Sequence, residues 1–406
     1  MDGFAPFLHG YQDVTNQLAD HLRRRAEDAL VRMETEKAAV TSVATFTARR
    51  ERLRRWFLSA IGGVPPLPDT VPTSCTGHLV APGFTVEKLL LETLPGVFAT
   101  ASLYIPAGLV ERAPGVLFLC GHHRAAKAAP EYQRVCRALV RVGLVVLAMD
   151  PVGQGERLQY VDPATEAEVV RWGTAEHCHV GLQCHVAGFS VARYFLADAM
   201  QALTYLRARP EVDDTHVGVT GNSGGGTQAA YLMFLDDRLH CGAPCTFVTS
   251  REAYMRTGQA HDAEQNIRGA ISAGLDYDDL VAGLAPKPLC LGAVASDFFP
   301  VEGTLHAYTQ LNRIYALYGL QDQLHVVVAP GQHAFSTPLQ RHVVQFFRRY
   351  LIGEGVDLSA GLTVWRDQRR PLQGIPGVVP HPRRPPGTPR ETCGPSRPCA
   401  LPPGGR

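Results

Sequence analysis

Short apolar runs alternate with longer amphipathic stretches through the middle of the chain. The short runs are rich in Val, Leu, Ala and Ile, and their length predicts buried strands. The stretches between them place apolar residues three and four positions apart, which predicts helices. Strands are predicted over 116–120, 144–149, 217–220, 243–248, 289–294 and 324–328, and helices over 132–142, 191–209, 227–235 and 338–351. Regular alternation of this kind predicts a mostly parallel, doubly wound α/β sheet.

The region before this alternation has a different pattern. Residues 76–79, 85–93 and 97–105 are strand-like and are separated by Pro82-Gly83 and Pro95-Gly96. Strands that follow one another across such short turns pair antiparallel. We therefore expect an antiparallel opening to the sheet.

Residues 11–61 have helical periodicity. Apolar side chains recur at three- and four-residue spacing, and a second helical run, 48–61, ends at Gly62-Gly63. We interpret residues 1–64 as a helical extension and 65–360 as the α/β domain. The extension either packs on that domain or forms a contact between copies in a homo-oligomer.

Two further segments depart from the strand–helix rhythm. Residues 156–188 form no strand–helix unit, and long insertions of this kind often cover an active site, so we predict a lid-like insertion. Residues 371–406 contain eleven prolines, six glycines and no aromatic residue. This tail cannot bury a core and is predicted to be disordered.

Composition limits the classes of function. Of the 406 residues 45% are hydrophobic, and the formal net charge of +1 gives no reason to expect nucleic acid or an anionic membrane as partner. The sequence has no apolar run of membrane-spanning length and no secretory signal at its start. Cys120 and Cys290 lie within predicted strands, which favours free buried thiols and a cytoplasmic protein.

The strongest chemical motif joins the strand at 217–220 to the helix at 227–235. Gly221-Asn222-Ser223-Gly224-Gly225 is a G-x-S-x-G between strand and helix, the arrangement of a nucleophile elbow. Glycines relieve the crowding around a strained serine at so sharp a turn. Ser223 is therefore the predicted nucleophile, and the Gly224 N–H is predicted to donate to an oxyanion.

A nucleophilic serine needs a basic histidine and a carboxylate that orients it. Asp297 follows the strand at 289–294, and His333 follows the last strand, at 324–328. Serine, acid and histidine thus occur in the chain order of the α/β-hydrolases. Glu252, which follows the preceding strand, is the alternative acid.

The second oxyanion donor is expected in the loop after the strand at 116–120. The backbone N–H of His123 is the first candidate and that of His122 the second. We also expect the His122 side chain to contact substrate. His179 belongs to a His- and Cys-rich stretch, 177–185, that predicts lid packing or substrate contact and, because its spacing matches no closed zinc motif, no metal.

Several segments carry a family resemblance. They are GHHRAAKAAPEYQ, MDPVGQGER, RPEVDDTHVGVTGNSGGGTQ, HDAEQNI and APKPLCLGAVASDFFPVEG. Over residues 70–352 the chain resembles bacterial α/β-hydrolases of the acetyl xylan esterase-like group, relatives of cephalosporin-C deacetylases, dienelactone hydrolases and the catalytic domains of prolyl oligopeptidases. The resemblance implies an α/β-hydrolase fold and serine hydrolysis of a small-molecule ester, with Ser223, Asp297 and His333 as the triad.

The sequence leaves alternatives to an esterase. A peptidase or amidase would use the same residues, and a non-catalytic binding protein would keep the fold without needing an intact triad. No cofactor is expected, because the glycine-rich segment after Asp150 lacks the G-x-G-x-x-G spacing of a nucleotide loop.

Overall fold

A computed structural model describes residues 17–358 of the chain. Residues 1–16, which include the beginning of the predicted helical region, lie outside the described residues, and so does the predicted disordered tail, 371–406. Among residues 17–358, no helix is both long and apolar enough to cross a bilayer.

Within residues 17–358, nine strands form one sheet in the order β1-β2-β3-β5-β4-β6-β7-β8-β9. The first three pair antiparallel, β3 joins β5 antiparallel, and the remaining neighbours are parallel. The strands are β1 (Thr73–Ala81), β2 (Phe84–Leu94), β3 (Val97–Pro106), β4 (Ala113–Leu119), β5 (Val145–Met149), β6 (Val212–Asn222), β7 (Cys241–Cys245), β8 (Leu289–Ser296) and β9 (Leu324–Gln332). The predicted mostly parallel sheet with an antiparallel opening is confirmed.

In the described part of the chain, ten α-helices accompany the strands. They are α1 (Gln17–Ala38), α2 (Val43–Ile61), α3 (Pro130–Arg141), α4 (Thr174–Val186), α5 (Ala192–Ala208), α6 (Gly224–Leu235), α7 (Arg251–Arg256), α8 (Tyr277–Ala282), α9 (Val301–Tyr318) and α10 (Thr337–Phe347). One π-helical turn, Arg348–Ile352, continues α10.

The sheet is covered on both faces, so its central strands are apolar throughout. Val116 and Phe118 of β4 pack with α3 and α10 in one core, whereas Leu117 and Leu119 pack in the other with α2, α5, α6, α8 and α9. Successive side chains of a strand point to opposite faces. Each face is therefore buried beneath helices, the doubly wound arrangement predicted from the sequence.

The N-terminal helices pack on the second of these cores. Phe57 of α2 is fully buried against Tyr231 of α6, with ring centroids 5.1 Å apart. The buried ammonium of Lys37 at the end of α1 lies 2.7 Å from the carboxylate of Asp278. Apolar packing and buried ion pairs thus attach both helices to the α/β core.

Several elements differ from the prediction, among them β7, α9 and α4. β7 ends at Cys245 rather than 248, because Thr246 has a φ of +50°, which is incompatible with a strand. α9 was not predicted, since its buried stripe includes the polar or small residues Thr304 and Ala307 beside Leu311 and Tyr315. Helix α4 lies within residues 156–188, the predicted lid-like insertion, and these residues are otherwise irregular apart from one isolated bridge.

Candidate active site

Ser223 occupies a sharp turn between β6 and α6. Its φ of +57° is unusual for a residue with a side chain, so the turn is strained as an elbow requires. A Cβ at Gly225 would lie 2.0 Å from the carbonyl oxygen of Leu119, and a Cβ at Gly121 would lie 2.1 Å from that of Asn222. The two glycines therefore allow the elbow to approach the end of β4.

The neighbouring strand β7 holds this turn in place. The Ser223 N–H donates to the Cys245 carbonyl at 2.9 Å and lies 3.0 Å from Thr246 Oγ1. The Thr246 hydroxyl in turn donates to Asn222 Oδ1 at 2.7 Å. Because these contacts fix the backbone on both sides of Ser223, the strained conformation is supported from outside the elbow.

His333 and Asp297 lie next to each other at the carboxyl ends of β9 and β8. Nδ1 of His333 is 2.7 Å from Oδ1 of Asp297, which also accepts the Phe299 N–H at 3.1 Å. The Asp297 side chain is 2% exposed, whereas that of His333 is 22% exposed. The carboxylate thus lies behind the imidazole and leaves Nε2 of His333 as the ring nitrogen available to other groups.

The alternative acid, Glu252, lies elsewhere. It is on the exposed face of α7, where its carboxylate pairs with Arg256 one turn later at 2.6 Å. Its side chain is 54% exposed. Glu252 is thus a solvated helix-surface residue.

Ser223 and His333 line one cavity of about 480 Å³. His122, His123, Asp262 and Gln265 line it as well, together with Glu131, Tyr132, Thr174, Asn222, Tyr254, Gln259, Ala260, Phe298, Phe299 and Ala334. Two larger cavities, of about 900 and 970 Å³, are lined by other residues and include neither Ser223 nor His333. The predicted nucleophile and base therefore line the same cavity.

The loop after β4 borders this cavity. Within residues 17–358, neither the Gly224 N–H nor the His123 N–H donates to a protein acceptor. The buried side chain of Gln154 donates to the carbonyls of Gly121 and His123, at 2.7 and 3.2 Å. Gln154 therefore positions the loop that carries the predicted second oxyanion donor.

Part of the cavity lining is aromatic, and a half-buried imidazole stacks on one of its rings. The rings of Tyr254 and His261 are parallel, with centroids 3.8 Å apart, and Gln265 contacts His261 Nδ1 at 3.0 Å. Burial lowers the pKa of His261 to about 4, so this ring is neutral near pH 7. A neutral ring donates from Nδ1 to Gln265 and accepts the hydroxyl proton of Tyr277 at Nε2.

A buried ionic network holds the glycine-rich segment that follows Asp150. Asp150 accepts the Thr100 hydroxyl at 2.7 Å and the Lys127 N–H at 2.9 Å, and it pairs with the Lys127 ammonium. Arg157 donates to the Asp150 carbonyl at 2.9 Å and to the Asp198 carboxylate at 2.8 Å. Asp150 and Arg157 thus fix the two ends of the MDPVGQGER segment, and Gln154 lies between them.

The His122 side chain contacts two residues that could not be associated with it from the sequence. Its Nε2 lies 3.1 Å from Nδ1 of His177 and 3.0 Å from Oε1 of Glu264. Burial would raise the pKa of Glu264, but the adjacent His177 and His122 hold it well below its usual range. Glu264 belongs to the HDAEQNI segment, one of those that carry the family resemblance. The sequence alone gives no sign that this acid is buried or that it lies beside His122.

His179 does not reach this cavity. It is exposed on α4, its ring packs against Tyr160 with centroids 4.6 Å apart, and its Nε2 lies 3.4 Å from the amide of Gln183. His179 therefore does not line the cavity that contains Ser223, and its contact with substrate stays a prediction.

Known proteins resemble the chain in sequence and in fold. A protein of Bacillus subtilis (strain 168) named "Putative hydrolase YtaP" is 26% identical over 216 residues, which cover 52% of this chain and 67% of that protein. No protein-family model matches the chain.

Two solved structures are similar over most of the chain. Methylesterase BT1017 has a TM-score of 0.63 and 23% identity, over 80% of this chain and 68% of its own. Acetyl Xylan Esterase 1 from Thermoanaerobacterium sp. JW/SL YS485 has a TM-score of 0.51 and 18% identity, over 73% and 92% respectively. Together with the sheet order and the elbow at Ser223, these likenesses show that the chain has the α/β-hydrolase fold.

Proposed function

We propose that the protein is a serine hydrolase that cleaves carboxylic esters through an acyl-enzyme on Ser223. The observation that carries the proposal is the 2.7 Å contact between Asp297 and His333, with His333 and Ser223 lining the same cavity. A serine on a strained elbow, a histidine and a buried carboxylate together form the constellation that activates a hydroxyl group.

In this mechanism His333 Nε2 removes the proton of Ser223 as the hydroxyl attacks the ester carbonyl. Asp297 accepts the Nδ1–H, which holds the tautomer with a free Nε2 and stabilises the imidazolium that forms. His333 then gives the proton to the departing alcohol. Water then attacks the acyl carbon while His333 removes its proton; the bond to Ser223 breaks, His333 returns the proton to the serine oxygen, and the carboxylic acid leaves.

The oxyanion of the tetrahedral intermediate would be bound by the N–H groups of Gly224 and His123. Both N–H groups are without a protein acceptor in residues 17–358; Gly224 directly follows the nucleophile, and His123 lines the same cavity as Ser223. Preorganised donors of this kind stabilise charge only as it develops, and loss of one typically costs on the order of 10²–10³ in rate.

The names of the structural neighbours support an ester as the substrate class. The two solved structures are named a methylesterase and an acetyl xylan esterase, and both act on an ester bond by name. Histidine and carboxylate side chains of the cavity, among them His122 and Asp262, favour a polar substrate over a long aliphatic one.

A panel of p-nitrophenyl esters of increasing acyl length, run beside p-nitroanilide amides, tests the proposal. We expect turnover of the short-acyl esters by wild type, little or no turnover of the amides, and loss of activity in Ser223→Ala by several orders of magnitude. Ser272→Ala is the matched control, because Ser272 is exposed and lines a different cavity. Turnover of amides in preference to esters would reject the esterase assignment.

A further inference from the structure

A buried carboxylate lies beside the catalytic cavity. Glu264 is 1% exposed, and within residues 17–358 its carboxylate oxygens have no possible hydrogen-bond donor other than the rings of His122 and His177. A carboxylate removed from water is destabilising unless a positive charge or hydrogen-bond donors compensate it. The position therefore calls for a cation.

Two imidazole nitrogens face this carboxylate at short range. Oε1 of Glu264 is 3.0 Å from Nε2 of His122, and Oε2 is 3.1 Å from Nδ1 of His177. The two nitrogens are themselves 3.1 Å apart. The two ring nitrogens and the two oxygens of one carboxylate, from three separate segments of the chain, thus lie close together.

The protonation of His177 is constrained from its other side. Nε2 of His177 lies 2.7 Å from the carbonyl oxygen of Val152, and a carbonyl can only accept, so Nε2 carries a proton. In the neutral ring Nδ1 then presents a lone pair to His122 and Glu264. Metal-binding histidines commonly donate their second N–H to a backbone carbonyl in this way.

If the rings of His122 and His177 are both neutral, the one proton between them cannot give a hydrogen bond both to His177 Nδ1 and to the Glu264 carboxylate. A proton on His122 Nε2 can bridge to Nδ1 of His177, since the two nitrogens are at hydrogen-bond distance. The Glu264 carboxylate then still receives no hydrogen bond. A divalent ion placed among the three atoms compensates the carboxylate and uses both lone pairs at once.

We propose that His122, His177 and Glu264 bind a divalent transition-metal ion, with Zn²⁺ as the best fit. Two imidazoles and one carboxylate are a donor set of catalytic zinc sites, and bonds of about 2.0–2.2 Å place such ligands about 3–3.5 Å apart. The three atoms of the cluster all lie within 4.8 Å of one another. This assignment differs from the metal-free interpretation of the His- and Cys-rich stretch, which did not include Glu264.

The fourth position of the ion faces the cavity. Asp262 Oδ2 is 3.6 Å from His122 Nε2, and both His122 and Asp262 line the cavity that contains Ser223. The position is filled by Asp262, by water or by a polar group of a bound ligand. The site goes beyond the proposed hydrolase mechanism, which needs no metal, and its test does not depend on hydrolase activity.

Isothermal titration of the chelator-treated full chain with ZnCl₂ tests the proposal. We expect one Zn²⁺ per chain with a Kd in the micromolar range or tighter, and binding weakened about tenfold or more in both His177→Ala and Glu264→Gln. His185→Ala is the matched control, because His185 is exposed on the same helix and belongs to no such cluster. Absence of stoichiometric binding by wild type, or equal affinity in folded variants, overturns the site.

A second measurement keeps the proposal testable if the variants do not fold. Crystals of wild type grown with ZnCl₂ should give an anomalous peak between His122, His177 and Glu264. A zinc peak only at other residues overturns the assignment. The assignment is also overturned if wild-type crystals show no peak and nuclear magnetic resonance shows that His177 is an imidazolium at neutral pH.

Discussion

The Asp297 carboxylate and the His333 imidazole are 2.7 Å apart although they follow two different strands, β8 and β9. The contact arises because parallel neighbouring strands bring their carboxyl ends to one edge of the sheet. It joins a buried acid to a partly exposed base, and the mechanism proposed above depends on it.

Replacement of Asp297 tests that dependence. Asp297→Asn keeps the shape of the side chain but offers His333 Nδ1 an amide in place of a carboxylate. We expect kcat for an ester to fall on the order of 10⁴-fold with little change in substrate binding. Glu252→Gln, at the exposed end of a salt bridge, should leave most of the activity. The opposite pattern in two folded variants would move the orienting acid to α7.

We predict that Gln154 affects catalysis only by holding the loop after β4 in place. Gln154→Met removes the donor to the Gly121 and His123 carbonyls and frees the loop that carries the His123 N–H. We expect kcat to fall by about tenfold or more, less than the loss of an oxyanion donor itself, while KM changes little.

Two readouts separate this effect from a structural one. Gln133→Met is the control, since Gln133 lies on α3 and, within residues 17–358, its side chain accepts a hydrogen bond from Arg137 of the same helix. Equal kcat values in wild type and Gln154→Met would show that the loop needs no such support. A rise in KM with an unchanged kcat would place Gln154 in substrate binding instead.

The Arg157–Asp198 pair should contribute strongly to stability. Both side chains are buried, at 3% and 4% exposed, and Asp198 also accepts the Thr93 hydroxyl at 2.5 Å. Arg157→Met leaves the Asp198 carboxylate without its counter-charge, which should lower the free energy of unfolding by about 3–5 kcal/mol.

Urea denaturation of a matched surface pair provides the comparison. Arg207 pairs with Asp214 at 3.1 Å on the surface, so Arg207→Met should cost about 0–1 kcal/mol. If the two variants unfold at the same urea concentration, the network around Asp150 does not stabilise the fold as described.

Acidification should destabilise the protein through its buried histidines. Burial lowers the pKa of His342 to about 4, from about 6.5 in an unfolded chain. Below pH 6.5 the unfolded state binds the proton first, so stability is complete above that pH and falls as pH decreases toward 4. The full loss for this residue is on the order of 3 kcal/mol.

Urea titrations at a series of pH values measure this contribution as a difference. His342→Leu should flatten the decline in unfolding free energy between pH 6.5 and 4 relative to wild type. His179→Leu, at an exposed histidine, should leave the decline unchanged. An identical decline in wild type and His342→Leu would show that His342 is already protonated in the folded state.

The sequence predicted those parts of the molecule that depend on local pattern. The short apolar runs became strands because their residues are buried on both faces, and the glycines around Ser223 marked the elbow because no other residue fits there. Asp297 and His333 could be named since each directly follows a strand of a parallel sheet. Helix α9 escaped prediction because its buried stripe contains Thr304 and Ala307 in place of large apolar residues.

Tertiary contacts between distant segments could not be predicted in the same way. His122, His177 and Glu264 lie on a loop, on α4 and in an irregular segment, and only the fold brings their polar atoms within 3.1 Å. The same is true of Gln154, whose role is visible only from the two carbonyls it contacts.

Covalent capture of the nucleophile tests the central claim most directly. Treatment of the full chain with a fluorophosphonate probe, followed by intact mass and peptide mapping, should give one adduct on the Ser223 peptide in wild type. The adduct should be absent from Ser223→Ala and retained in Ser272→Ala. Undiminished labelling of Ser223→Ala, or an adduct mapped to another residue of wild type, would contradict a serine hydrolase built on Ser223, Asp297 and His333.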